Sequence, residues 1–148
     1  MKKDRLPVNS KIHHRRILEE SGHFSQLIDT YREKILTQQT RTIRLLGRKS
    51  SAKILHTLLG YEVQASYKRI QCPDLVTARY LRLFSELGCH SIKLPYDPTL
   101  TGQIIPEFES TVESIKETVR RRFPRDESTQ QYVIRKLYGL IRHQLASG

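Results

Sequence analysis

The stretch Lys34 to Pro73, KILTQQTRTIRLLGRKSSAKILHTLLGYEVQASYKRIQCP, decides how this chain is read. In 40 residues it holds eight bases (Lys34, Arg41, Arg44, Arg48, Lys49, Lys53, Lys68 and Arg69) against one acid, Glu62, which is +7 of the chain's formal charge of +11. Lys34, Arg41 and Arg48 recur every seven residues with Arg44 between them. On a helix they form one stripe, opposite an apolar stripe of Phe24, Ile28, Tyr31, Ile35 and Leu46. A basic stripe behind a core-facing stripe is the footprint of a protein that docks a polyanion.

Working outward, Ser25 is a good N-cap with Phe24 placed as its staple, and Gly47 is a good stop. The pattern therefore predicts one long helix from Ser25 to Leu46. A second helix is expected from Ala52 to Leu59, ending at Gly60, with Ile54, Leu55, Leu58 and Leu59 inward. From Tyr61 the period changes to two, as Tyr61, Val63, Ala65 and Tyr67 alternate with polar residues. That is a strand with one buried face, ending by Cys72. Pro73 and Asp74 suit a helix start and Gly88 a helix end, which sets a helix between them with Val76, Tyr80, Leu83, Phe84 and Leu87 on its apolar face. Ser91 to Tyr96 reads as another strand, with Ile92 and Leu94 inward. Strand, helix and strand in this order imply a crossover between parallel strands. Two strands make a marginal sheet, so a third is expected, either from Gln103 to Ile105 or from a second copy of the chain in a homodimer.

Asp97, Pro98, Gly102 and Pro106 mark residues 97–107 as a loop. Beyond it an αα-hairpin is expected. Its first helix carries Phe108, Val112, Ile115 and Val119 and ends at Phe123-Pro124. Its second is capped by Ser128 with Gln131 and buries Val133, Ile134, Leu137, Ile141 and Leu145. Arg120, Arg121, Arg122 and Arg125 crowd the end of the first. Cations there are favourable by roughly 0.3–1 kcal/mol each without any ligand, yet four in six residues exceed that need. They make a second candidate phosphate patch.

The fold class is thus α+β and helix-dominated: a small β-α-β unit with a small sheet, a long N-terminal helix and a C-terminal αα-hairpin. At 148 residues one domain suffices, spanning 10–148 behind a flexible basic arm at 1–9 that carries Lys2, Lys3 and Arg5. A short basic helix from Ser10 to Ser21 follows the arm. Its His13 and His14 point about 100° apart and so do not share a metal. No apolar run suggests a secretory signal or a membrane span, so cytoplasmic residence is expected. Cys72 and Cys89 flank one helix, which sets them on the order of 25 Å apart, beyond disulfide reach.

No catalytic pattern is found. Gly47-Arg48-Lys49-Ser50 resembles the tail of a phosphate-binding loop but lacks its upstream glycine and its leading strand. Pro73-Asp74 with Lys93 invites a nuclease reading, but the acid required two residues before the lysine is Ser91. Cys89-His90 is no dyad, because neighbours on a strand face opposite sides. A helix-turn-helix fitted to Arg41–Leu59 lacks the exposed set that reads bases, and most tyrosines sit at core-periodic positions. The expectation is a non-enzymatic, regulatory nucleic-acid-binding protein without metal or cofactor. It would hold DNA or RNA mainly by phosphates, through Lys34, Arg41, Arg44, Arg48, Lys49, Lys53, Lys68 and Arg69 and through Arg120, Arg121, Arg122 and Arg125. About six such contacts give a salt slope of roughly −4 to −5. The alternative is an adaptor or regulatory subunit whose basic face docks an acidic protein.

Overall fold

The computed structural model describes residues 16–19, 24–48 and 51–146. The architecture is α+β and helix-dominated, with two small open sheets and a C-terminal pair of long helices. The basic arm at 1–9, His13 and His14, and Lys49 lie outside the described residues. Residues 16–19 are helical and bury Ile17 and Leu18.

Helix α1 (Phe24–Thr30) buries Leu27 and Ile28 and passes into a π-helical turn (Tyr31–Ile35) that buries Tyr31 and Ile35. There the helix ends. Leu36 N–H bonds back to the Tyr31 carbonyl at 3.0 Å, and the Thr37 hydroxyl takes the Glu33 carbonyl at 2.7 Å. The chain then extends as β1 (Thr40–Arg44), so the expected helix to Leu46 is overturned after about half its length. The sevenfold recurrence of bases matched a helix, but Thr40, Thr42 and Ile43 are β-branched and fit a pleated surface better. Their partner is distant in sequence. β5 (Ser91–Pro95) pairs with β1 antiparallel, Thr42 opposite Lys93 and Arg44 opposite Ser91. Leu45 N–H to the His90 carbonyl (2.7 Å) and Gly47 N–H to the Cys89 carbonyl (3.1 Å) prolong the ladder. Gly47 has φ +89° and a β-carbon there would lie 2.5 Å from the His90 ring, so it turns the chain away from a strand, not from a helix.

The second correction concerns residues 52–72. Ala52 to Leu59 is not a helix: β2 (Ala52–Thr57), β3 (Gly60–Ala65) and β4 (Lys68–Cys72) form an antiparallel meander. The leucines expected to face a core occupy its tip, with Leu58 104% and Leu59 80% exposed. Gly60 begins β3 with φ +128°, and a β-carbon there would lie 2.7 Å from the Cys72 carbonyl oxygen. It is glycine because the end of β4 passes over it. The single strand read from Tyr61 to Cys72 is itself a hairpin, reversed at Ser66 (φ 57°) and Tyr67. The third strand comes from within the chain, from residues whose apolar spacing suits a helix.

Helix α2 (Leu75–Leu87) has the expected ends. The Asp74 carboxylate accepts from Thr77 N–H at 2.8 Å, and Gly88 closes the helix with φ 87°. β4, α2 and β5 follow one another as anticipated. No parallel pair results, because β5 joins β1 in a different sheet.

Helix α3 (Pro98–Arg122) begins ten residues before Phe108 and absorbs the expected loop. Pro98 stands in the first turn, where a missing N–H costs nothing, and Asp97 caps Thr99 N–H at 3.0 Å. Pro106 lies inside the helix and deprives the Gly102 carbonyl of its bond, at a cost of ~3 kcal/mol. Burial of Thr101, Ile104, Ile105 and Phe108 offsets that cost. Helix α4 (Glu127–Ala146) completes the αα-hairpin and buries the predicted Val133, Ile134, Leu137, Ile141 and Leu145, with Tyr138. Asp126, not Ser128, caps it, accepting from Thr129 N–H at 3.1 Å and the Thr129 hydroxyl at 2.7 Å.

The core lies where α2 meets α3, α4 and the inner faces of both sheets. Phe84 stands edge-on to Phe108 (centroids 5.9 Å apart, 87°) and packs against Tyr80 at 4.9 Å.

Candidate nucleic-acid interface

On a strand, alternate residues share a face, and residues paired across a ladder share it too. The β1–β5 ribbon therefore turns Ile43, Ile92 and Leu94 inward and sets Thr42, Arg44, Ser91 and Lys93 on its outer face, all four exposed. Arg44 and Lys93 are diagonal neighbours there, roughly 7–8 Å apart at their α-carbons. The Lys93 ammonium donates to the Thr42 hydroxyl at 2.7 Å, which holds the long side chain across the ribbon. Arg48, also exposed, follows one residue past Gly47.

Arg41 belongs to the other face by alternation and is exposed because it stands at the ribbon's end. Its guanidinium lies 5.7 Å from the centroid of the Tyr96 ring, itself 61% exposed. The stripe expected to join Arg41 and Arg44 on one helical face does not exist, because β1 sends the two side chains to opposite faces. Lys34 is exposed on the π-helical turn.

The remaining cations divide by their partners. Lys53 and Arg69 flank Gln64 on the outer face of the meander, and Arg69 lies 3.5 Å from Glu62. Lys68 is on the opposite face, half-buried across from Ala65. Arg120 is held by Glu117 at 3.2 Å and Glu113 at 3.7 Å, while Arg121, Arg122 and Arg125 are exposed. Between α2 and α3, Arg79 and Arg82 share Glu109, and Lys116 takes Glu86 at 2.7 Å. The ribbon differs from the paired cations Arg69, Arg79, Arg82, Lys116 and Arg120. Among the described residues, no carboxylate lies within 4.0 Å of Arg41, Arg44, Arg48 or Lys93.

Lys93, Thr42, Ser91 and Tyr96 were not in the expected set. The alternation of Ser91-Ile-Lys-Leu already placed Lys93 on a solvent face, but only the pairing with β1 brings it beside Arg44. Of the tyrosines, Tyr31, Tyr80 and Tyr138 are core residues, whereas Tyr67 is 79% exposed and Tyr96, with Arg41 over its ring, is 61% exposed.

The thiols are poor nucleophiles. Burial pushes Cys72 up to about 11, with Asp74 adding to the rise and Arg41 opposing it, and burial pushes Cys89 up to about 11 against the opposing charge of Arg142. Among the described residues no group of three or more His, Cys, Asp or Glu side chains is placed to hold a metal ion. No described helix is long and apolar enough to cross a membrane. Comparison of the chain with protein-family models, curated proteins and solved structures gives no match.

Proposed function

We propose that this protein binds DNA or RNA through its phosphates, on the outer face of the β1–β5 ribbon. The observation that carries the reading is the pair Arg44 and Lys93, side by side on an exposed strand face with no carboxylate among the described residues to neutralise either. Hydroxyls of Thr42 and Ser91 stand on the same face as further donors to phosphate oxygens. Arg48 extends the track at one end. At the other, Arg41 over Tyr96 offers a cation beside a flat ring on which an unpaired base can stack. The role is that of a non-enzymatic, regulatory binder.

The test is direct. Purified in low salt, the protein should carry an absorbance excess at 260 nm that nuclease or high salt removes. It should also bind a labelled oligonucleotide at ~50 mM salt. Absence of binding to single- and double-stranded DNA and RNA at that salt would end the reading.

A second reading, an adaptor that docks a protein partner, is favoured by the meander tip, where Leu58 and Leu59 stand in solvent. That reading requires a protein to copurify, and the copurified protein to be lost when both leucines are changed to serine.

A further inference from the structure

Between the second half of α4 and the unpaired edge of β5 lies a pocket of about 560 Å³, a size suited to small organic ligands. Its lining is of two kinds. Leu36, Ile92, Leu145 and the ring of Tyr31 supply apolar surface, Arg142 supplies positive charge, and the imidazoles of His90 and His143 add polar groups. No carboxylate is among the described lining residues. Arg142 is fixed at the wall, because its Nη1 donates to the Leu87 carbonyl at 2.6 Å.

A second observation comes from Gly139, which also lines the pocket. It sits well inside α4, where its backbone is not left-handed, and a β-carbon there would meet only Arg142 Nη2, at an ordinary 3.5 Å. Neither conformation nor crowding calls for glycine, and helix propensity favours almost any other residue. What the missing side chain does is keep the space beside the guanidinium open.

We infer that this pocket binds a phosphomonoester carrying a flat apolar body, of the size of a nucleoside monophosphate. The phosphate sits on Arg142 and the body lies against Tyr31, Ile92 and Leu145. A dianion answers the Arg142 guanidinium on a wall with no carboxylate among its described residues, and the apolar lining gives the body its share of the affinity. The inference does not rest on the ribbon's cations, since Arg44 takes no part in it and the Lys93 ammonium is turned away to Thr42.

Calorimetric titration of the full chain with adenosine 5′-monophosphate, adenosine and inorganic phosphate tests it. Saturable binding of the monophosphate is expected, with adenosine and phosphate each at least about tenfold weaker. Gly139→Leu fills the pocket without removing a charge, and Arg142→Gln removes the charge while keeping a donor for Leu87. Each should weaken the monophosphate at least about tenfold, and Arg44→Gln should not change it. No binding of the monophosphate, phosphate binding as tight as the monophosphate, parent affinity in a folded Gly139→Leu variant, or loss of binding in Arg44→Gln would each overturn the assignment.

Discussion

Tyr80 donates its hydroxyl to the Lys93 carbonyl at 2.7 Å, tying the centre of α2 to the middle of β5. On its other edge β5 is bonded to β1, so the Lys93 peptide groups point outward from the ladder with no strand to meet them. The Lys93 N–H is taken by the Tyr31 hydroxyl at 3.1 Å. Two phenols thus close an edge that would otherwise be left with unpaired backbone groups, and they fix the strand that carries the ribbon's lysine.

Tyr80→Phe keeps the ring and removes the donor. Tyr80 is fully buried, so the substitution leaves the packing in place and removes only the bond to the Lys93 carbonyl. The expected loss is about 1–3 kcal/mol in urea unfolding, with an unchanged m-value. A loss under ~0.3 kcal/mol would show that the edge is not held this way.

Alkaline pH should destabilise the fold in a defined window. Burial raises the folded values of Cys72 and Cys89 to about 11 from an ordinary 9.0, and raises Tyr31, Tyr80 and Tyr138 above an ordinary 10.0. In each case the unfolded chain releases its proton first, so it binds fewer protons than the native state and stability falls as pH rises. Full stability is present below pH ~9. It should decline from there through pH ~11, by up to ~1.4 kcal/mol per pH unit for each group titrating. Urea midpoints measured from pH 8 to 11 check the sign, and a flat or rising profile would contradict it.

Two backbone substitutions should act in opposite directions. Gly60→Ala places a methyl against the Cys72 carbonyl at a left-handed position and should cost on the order of 2–4 kcal/mol. Pro106→Ala restores an N–H to the Gly102 carbonyl inside α3 and should stabilise by about 1–2 kcal/mol. Thermal melts of the two variants against the parent check both signs.

These contrasts also show what local sequence can say about this fold. Asp74 and Gly88 bracket α2 because capping depends on neighbours within a few residues, and the alternation in 91–95 marks β5 for the same reason. The α+β class and the αα-hairpin were legible from such signals. Residues 36–60 were not. Ile54, Leu55, Leu58 and Leu59 satisfy a helical spacing, and Arg41, Arg44 and Arg48 satisfy another. What decides against both is pairing with partners elsewhere: β1 with a strand about 50 residues on, and β2 with β3 across a tip that leaves two leucines in water. In α3, Pro106 reads as a breaker, and only the burial of Ile104, Ile105 and Phe108 around it carries the helix through. The candidate site inherits the same division. Arg44 and Arg48 were visible as charge, whereas Lys93 joins them only through the register of β1 on β5.

Salt dependence of oligonucleotide binding, read by fluorescence anisotropy in the parent and in an Arg44→Gln/Lys93→Gln double variant, tests the ribbon most directly. With Arg41, Arg44, Arg48 and Lys93 on phosphates, the logarithm of the binding constant for a single strand should fall with log salt at a slope of roughly −3, and the double variant should bring it to about −1.5. Lys53→Gln, outside the ribbon, should leave it unchanged. A parent slope near zero, or a double variant whose slope equals the parent's, would contradict the assignment of the phosphate track to this face.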